Sequence, residues 1–287
     1  MSVDHGPADA GLVIVGVVVP APVPAAWRAL TLPERVRRWF GDLDVPMTPG
    51  AAVRVDFGDG DFFRVRVDDV RTEEMVSFRW RFLGVGPESQ IRWELASGAP
   101  GTGSTTVTVS DTCPGRPPPE AAELDAGWRD FLGRLGTYLA SGESARYAWR
   151  QVIDGGVDLP ASAWLPLTRP AVAEWLPITP DGDRPRRFLI ADTEGPRGFA
   201  IDDWDLVPGR SLRFSVAIPE AGTTHAEVSA ASADGTVRLT VRHAGWDRLT
   251  ISDVRARALR RHFAAAWTAA LETASDRAGQ VSRRSTR

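Results

Sequence analysis

Apolar positions along this chain fall in two spacings, alternating in short runs and forming a single stripe in two long ones, and the series of runs occurs twice. The β-branched run at residues 13–19 predicts a strand, stopped by Pro22 and Pro24. A short helical piece with Trp27 and Leu30 follows. Thr31 can cap a second piece, with Pro33 in its first turn and Val36, Trp39 and Phe40 spaced i, i+3, i+4. Strands are predicted at residues 52–57, 62–70, 75–82, 90–95 and 105–110, with Asp59-Gly60 as a hairpin turn. Phe57, Phe63, Val65 and Val67, then Phe78 and Trp80, alternate with polar neighbours, so one sheet face is aromatic and buried and the other is wet. After Pro117 to Pro119, the residues Leu124, Trp128, Phe131, Leu132, Leu135 and Leu139 share one stripe of a helix over residues 120–140, which must cover the aromatic face. Gly133 and Gly136 interrupt that helix at a cost of about 1 kcal/mol each. Gly136 reads either as tolerated variation or as room beside a cavity.

The second series begins at residues 151–159. PASAWLPLTRPAVAEWL at residues 160–176 repeats the order of PAAWRALTLPERVRRWF at residues 24–40, with Trp164 answering Trp27 and Trp175 answering Trp39 at offsets of 137 and 136. Strands follow at residues 187–192, 199–205, 211–218, 224–230 and 236–243, with Asp234-Gly235 as a turn. A closing helix at residues 254–274 carries Leu259, Phe263, Ala266, Trp267, Ala270 and Leu271. Its alanine-rich face fits either closer packing or more space beneath it. A repeat this long implies two copies of a whole domain. The expected fold is α+β: two tandem domains, each an antiparallel sheet of six strands around a long C-terminal helix, with two short helices after the first strand. The domains are expected at residues 11–141 and 151–276, joined by a linker at 142–150 short enough to make them pack on each other, with a disordered, solvated tail at 277–287.

Composition narrows the chemistry. The chain of 287 residues is 43% hydrophobic and 25% charged with net charge -3, a globular composition without the basic excess a nucleic-acid partner needs. It contains no lysine, which removes Schiff-base and lysine-base mechanisms. The one cysteine, Cys113, excludes an intrachain disulfide and sits in a proline-rich loop without a histidine nearby. The apolar run at residues 12–19 is too short to span a membrane and lacks the basic flank of a secretory signal, so a cytoplasmic protein is expected. His5, His225, His243 and His262 show no metal-ligand spacing, and neither a metal nor a cofactor is expected. Asp202, Asp203 and Asp205 around Trp204 read as a solvated face. No nucleophile elbow or phosphate loop is present.

VPAPVPAAWRALTLPERVRRWFGD near the start, GWRDFLGRL at residues 127–135 and HAGW at residues 243–246 resemble the Hsp90-ATPase-activator-homologue branch of the START-like superfamily. The resemblance spans nearly the whole chain, twice over. The first copy departs from it in having Asp111 and Thr112 where His243 would align. The resemblance implies a helix-grip fold with a cavity for a bulky apolar molecule between helix and sheet. It also points to enediyne self-sacrifice resistance proteins and, by the double layout, to polyketide aromatase/cyclases.

The candidate ligand-binding residues are Trp39, Phe63, Phe78, Trp80, Trp93, Trp128, Phe131 and Leu135 in the first copy. In the second they are Trp175, Phe199, Trp204, Phe214, His243, Phe263 and Trp267. Flat rings suit a conjugated ligand, although the spacing of Trp39 and Trp175 equally fits helix packing. His243, before Gly245-Trp246, is the candidate polar group, against a purely structural role. No catalytic residue is assigned. The expected function is non-enzymatic binding of a hydrophobic or aromatic natural product, for self-resistance by sequestration or self-sacrifice or within biosynthesis. One alternative is a polyketide aromatase/cyclase using His243 with Arg79, Arg81 or Arg92. The other is a protein-binding module for a chaperone, which calls for an exposed docking patch and a filled interior.

Overall fold

The computed structural model describes residues 11–146, 149–161, 166–179, 185–192, 195–233 and 235–285. Trp164, His5 and Asp234 lie outside them. The chain divides into two compact units. One takes Met1–Phe57, Phe62–Gly84 and Glu88–Ala148; the other takes Gly58–Asp61, Val85–Pro87 and Trp149–Arg287.

In the first series β1 (Leu12–Val19) leads to α1 (Val23–Thr31), α2 (Pro33–Val36) and β2 (Asp42–Leu43). The strands β3 (Ala52–Asp56), β4 (Phe62–Arg71), β5 (Met75–Phe82), β6 (Glu88–Ser97) and β7 (Thr105–Thr112) follow, and α3 (Pro118–Ser141) closes it. The antiparallel sheet runs β1-β7-β6-β5-β4-β3-β2. It has seven strands rather than six, because the two-residue β2 pairs Asp42 with Asp56 and Leu43 with Val55, a strand too short to leave a period in the sequence. Alternation in β1 sends Val13, Val15 and Val19 inward while Leu12, Ile14 and Val18 stay exposed. Thr31 does not cap α2. It ends α1, where its hydroxyl donates to Trp27 O at 2.8 Å, and α2 begins on Pro33 without a side-chain cap. Proline suits that position because the first-turn N–H has no helical partner to lose. At the far end of α3, Gly142 takes φ +72° and its N–H closes on Tyr138 O, the left-handed stop that glycine supplies at least cost.

The second series follows this plan with β8 (Ile153–Pro160), α4 (Arg169–Trp175), β9 (Ile178–Thr179), β10 (Arg187–Asp192), β11 (Gly195–Val207), β12 (Ser211–Ile218), β13 (Gly222–Ala233), β14 (Thr236–Ala244) and α5 (Asp253–Ser285); of the expected helical pair only α4 is among the described residues, and the place of the other includes residues 162–165, which lie outside them. Its sheet order is β8-β14-β13-β12-β11-β10-β9. The helix α5 runs through Ser285, so residues 277–285 are helical rather than the disordered tail their polarity predicts. Ala274 and Ala278 are buried there, and alanine and arginine are good helix formers, which carries the helix onward. Alanine also lets α5 approach closely: a Cβ at Gly60 would stand 2.6 Å from that of Ala264. Close packing rather than empty space explains that stretch of the alanine face.

Register aligns the two sheets rung by rung. Phe78, Ile91, Asp111 and Val13 lie side by side across β5, β6, β7 and β1. Phe214, Ala226, His243 and Ile153 do so across β12, β13, β14 and β8. Asp111 therefore occupies the place that His243 holds in the second sheet.

Candidate functional site

In the first unit the alternating inner face of the sheet and the stripe of α3 bring the predicted aromatics into one cluster. Phe63 on β4 stacks on Trp80 of β5 at 3.9 Å and 11°. Trp80 stacks in turn on Trp128 of α3 at 5.3 Å and 10°, and Trp128 faces Phe40 at 6.3 Å and 11°. Four nearly parallel rings thus pass from sheet to helix to the segment after α2. Phe78 and Trp93 meet edge to face at 5.3 Å, Trp39 lies 6.2 Å from Trp93, and Phe131 packs on Phe40 at 4.6 Å. Leu135 is buried below them, while Phe63 and Phe131 keep some exposure. Such ring pairs add about 0.5–1.5 kcal/mol each beyond area burial. Sequence reasoning passed over Phe40 as a site residue, although its place beside Trp39 was a usable signal.

The polar atoms of this cluster are few. Trp39 Nε1–H donates to Ala29 O at 2.9 Å, which ties the residue after α2 back to α1. Trp128 Nε1–H donates to Asp111 Oδ2 at 3.1 Å. The other Asp111 oxygen accepts from Arg116 at 2.6 Å, a pair only 1% and 7% exposed. Burial raises the Asp111 carboxyl above its ordinary range against the pull of Arg116. Among the described residues Trp93 Nε1–H has no acceptor, a state that costs about 1–3 kcal/mol for a buried donor.

In the second unit Phe263 and Trp267 of α5 lie over the inner face. Phe263 stacks on Phe188 at 5.2 Å and 9° and meets Phe199 at 5.0 Å. Trp267 lies 6.2 Å from Phe214, which also carries Trp204 at 5.4 Å. Trp175 is buried at the end of α4 with its N–H on Pro166 O at 3.0 Å, the counterpart of the Trp39 bond. Phe188 and Trp246 join this cluster without having been picked out as site residues, since neither stands in an alternating aromatic run.

His243 is fully buried, and every polar atom of its ring is engaged. Trp267 Nε1–H donates to His243 Nδ1 at 3.0 Å. An indole can only donate, so Nδ1 is unprotonated and Nε2–H points to Thr224 Oγ1 at 2.8 Å. Burial, with the nearby charges of His225 and Arg260, lowers its pKa from 6.5 to about 3. A neutral imidazole with both nitrogens bonded is a strut rather than a base. Both units therefore pin the long helix to one rung by an indole N–H, with a carboxylate as acceptor in one and an imidazole in the other.

Arg79, Arg81 and Arg92, the cations of the cyclase alternative, do not face the interior. They are 40%, 47% and 44% exposed and pair with Asp68, Glu88 and Glu94. Cys113 is buried. Ser215, His225 and Asp203 meet, but the serine bonds the ring at 3.1 Å and the carboxylate at 3.3 Å. In a catalytic relay the carboxylate orients the imidazole instead. Among the described residues no cluster of three or more metal-ligating side chains occurs, and no helix is long and apolar enough to cross a membrane.

The second unit also buries an ion cluster that went unpredicted. Arg260 of α5 is fully buried and binds both oxygens of Asp61 at 2.9 Å, Asp59 O at 2.6 Å and Val152 O at 2.7 Å. Arg150 reaches Asp61 at 3.2 Å. Burial pushes the Asp61 carboxyl up to about 6, outweighing the pull of both arginines. The sequence shows Asp59 only as a turn residue and Arg260 only as one of many arginines.

Comparison with known proteins places this geometry. The model of the family described as activator of Hsp90 ATPase homolog 1-like protein matches residues 20–140. The crystal structure of DynU16, a protein of the dynemicin biosynthetic locus, is 51% identical, covers 93% of this chain and 99% of its own, and superposes with a TM-score of 0.88. MLL2253 from Mesorhizobium loti is 22% identical, with 45% of this chain and 96% of its own covered at a TM-score of 0.41. CalU16 from Micromonospora echinospora is 20% identical, with 46% and 77% covered at a TM-score of 0.39. No curated protein matches the chain.

Proposed function

The chain belongs to the activator of Hsp90 ATPase homolog 1-like family as a tandem pair of such folds, and from that premise we propose that it binds a bulky aromatic natural product beneath its long helices without turning it over. The observation that carries this reading is the likeness to DynU16 along both copies, since that protein comes from the dynemicin biosynthetic locus. The stacked inner faces support it, because flat rings offer contact to a conjugated molecule at small entropic cost. The engaged, neutral His243 and the outward arginines speak for holding over catalysis. Within this reading the ligand is of the enediyne type and the role is self-resistance, by sequestration or by self-sacrifice. In the latter a bound diradical takes a hydrogen atom from a glycine Cα to form a C–H bond on the drug, and dioxygen traps the backbone radical left behind as a peroxyl species that fragments the chain.

Incubation of the purified protein with an activated enediyne, followed by mass spectrometry, tests both routes. Chain fragments support self-sacrifice and an intact chain with retained drug supports sequestration. An intact chain that retains nothing overturns the proposal. One observation favours a second reading, a protein-binding module: Ile14 and Val18 on β1 are 56% and 63% exposed beside Leu12. That reading gains if the protein captures a chaperone from lysate while apolar ligands leave its tryptophan fluorescence unchanged.

A further inference from the structure

Trp93 on β6 is fully buried, and its Nε1–H is a donor with no acceptor among the described residues. The neighbouring indoles differ. Trp39 and Trp128 both have their N–H groups spent, on Ala29 O and on Asp111 Oδ2. The rings of Phe78, Phe40 and Trp128 stand at 90°, 83° and 88° to the Trp93 ring, with centroids 5.3, 6.2 and 6.4 Å away. Ring faces of this kind accept an N–H only weakly, and a water would need two or more polar partners to settle there. Buried donors in native proteins are nearly always paired, so this one calls for a partner from outside the chain. The second unit has no indole at the equivalent position. The rung Val76, Trp93, Val109 corresponds to Leu212, Val228, Val241, which puts a valine in the same place.

We propose that Trp93 Nε1–H is the polar anchor of a ligand site in the first unit. The ligand class it selects is a flat polycyclic molecule with a carbonyl oxygen at its edge, the rings lying against the aromatic cluster and the oxygen accepting from Trp93. This rests on the binding function proposed above and narrows it to one unit and one chemistry.

Two probes with the same fused frame, 9-fluorenone with its carbonyl and fluorene without it, test the inference by calorimetric titration of the full chain. The wild-type protein is expected to bind fluorenone about tenfold more tightly than fluorene, the worth of one good hydrogen bond. Trp93→Phe keeps a ring but removes the donor; it should bring the ratio of fluorenone to fluorene affinity down to about one. Equal binding of the two probes by the wild type, or a preference that survives in Trp93→Phe, overturns the anchor and leaves the binding function standing. Binding of neither probe overturns both. Should Trp93→Phe fail to fold, the 15N-labelled wild type gives the answer alone. Its most upfield indole N–H resonance, the mark of an unbonded donor, must move downfield with fluorenone and stay in place with fluorene.

Discussion

At the scale of single residues, the interior is held by a few hydrogen bonds from tryptophan. Asp111 satisfies two donors at once, Trp128 from the helix and Arg116 from the loop before it. Removing the carboxylate leaves a buried guanidinium without its counter-ion, so Asp111→Ala is expected to cost about 3–5 kcal/mol, measured by urea unfolding. A loss under 1 kcal/mol would mean that Arg116 finds water instead. The sequence marks Asp111 as the departure from the His-x-Gly-Trp pattern, and so shows where to look. It does not show what the aspartate does, because the partner Trp128 lies 17 positions away and the bond depends on how α3 seats against the sheet.

At the scale of elements, the helical pair α1 and α2 owes its position to Trp39, which is fully buried and bonded to Ala29 O. Trp39→Ala opens a large cavity and frees that carbonyl, with an expected loss of about 3–5 kcal/mol. If calorimetric ligand affinity falls in parallel at temperatures where the variant stays folded, Trp39 also closes the site; unchanged affinity leaves it structural. Most elements were legible in the sequence because their apolar residues keep a strict period, as in β5, where Phe78 and Trp80 alternate, or α3, where Trp128, Leu132 and Leu135 share a stripe. What escaped has no period to show. β2 is held by two pairings, Thr31 gave its hydroxyl to its own helix, and the end of α5 is set by the burial of Ala274 and Ala278. Apart from Phe40, Phe188 and Trp246, the members of the two aromatic clusters could be named from strand alternation or a helical stripe, whereas the Asp61–Arg260 ion pair joins residues 199 positions apart and leaves no local trace.

At the scale of the whole molecule, two copies of one fold have kept the same framework and separated in chemistry. Part of the acid response is expected to come from the second unit, where His243 and Asp61 act in opposite directions. The His243 value of about 3 lies below the ordinary 6.5, so the unfolded chain takes the proton first and stability is lost as pH falls from 6.5 toward 3. Asp61, at about 6 against 3.8, is protonated first in the native state, and stability is gained as pH falls from 6 toward 3.8. Each slope reaches at most about 1.4 kcal/mol per pH unit. Asp61→Asn should therefore show a steeper acid loss in urea unfolding than the wild type, and His243→Asn a shallower one; profiles that do not diverge would remove these groups as a source. The packing of Trp39, Trp93, Trp128 and Trp80 has an optical consequence as well. Successive centroids lie 6.2, 6.4 and 5.3 Å apart, close enough for excitation to migrate from ring to ring before emission. The four indoles then act as one antenna whose light is depolarised although none of them moves, and any molecule wedged into the stack announces itself as a rise in anisotropy.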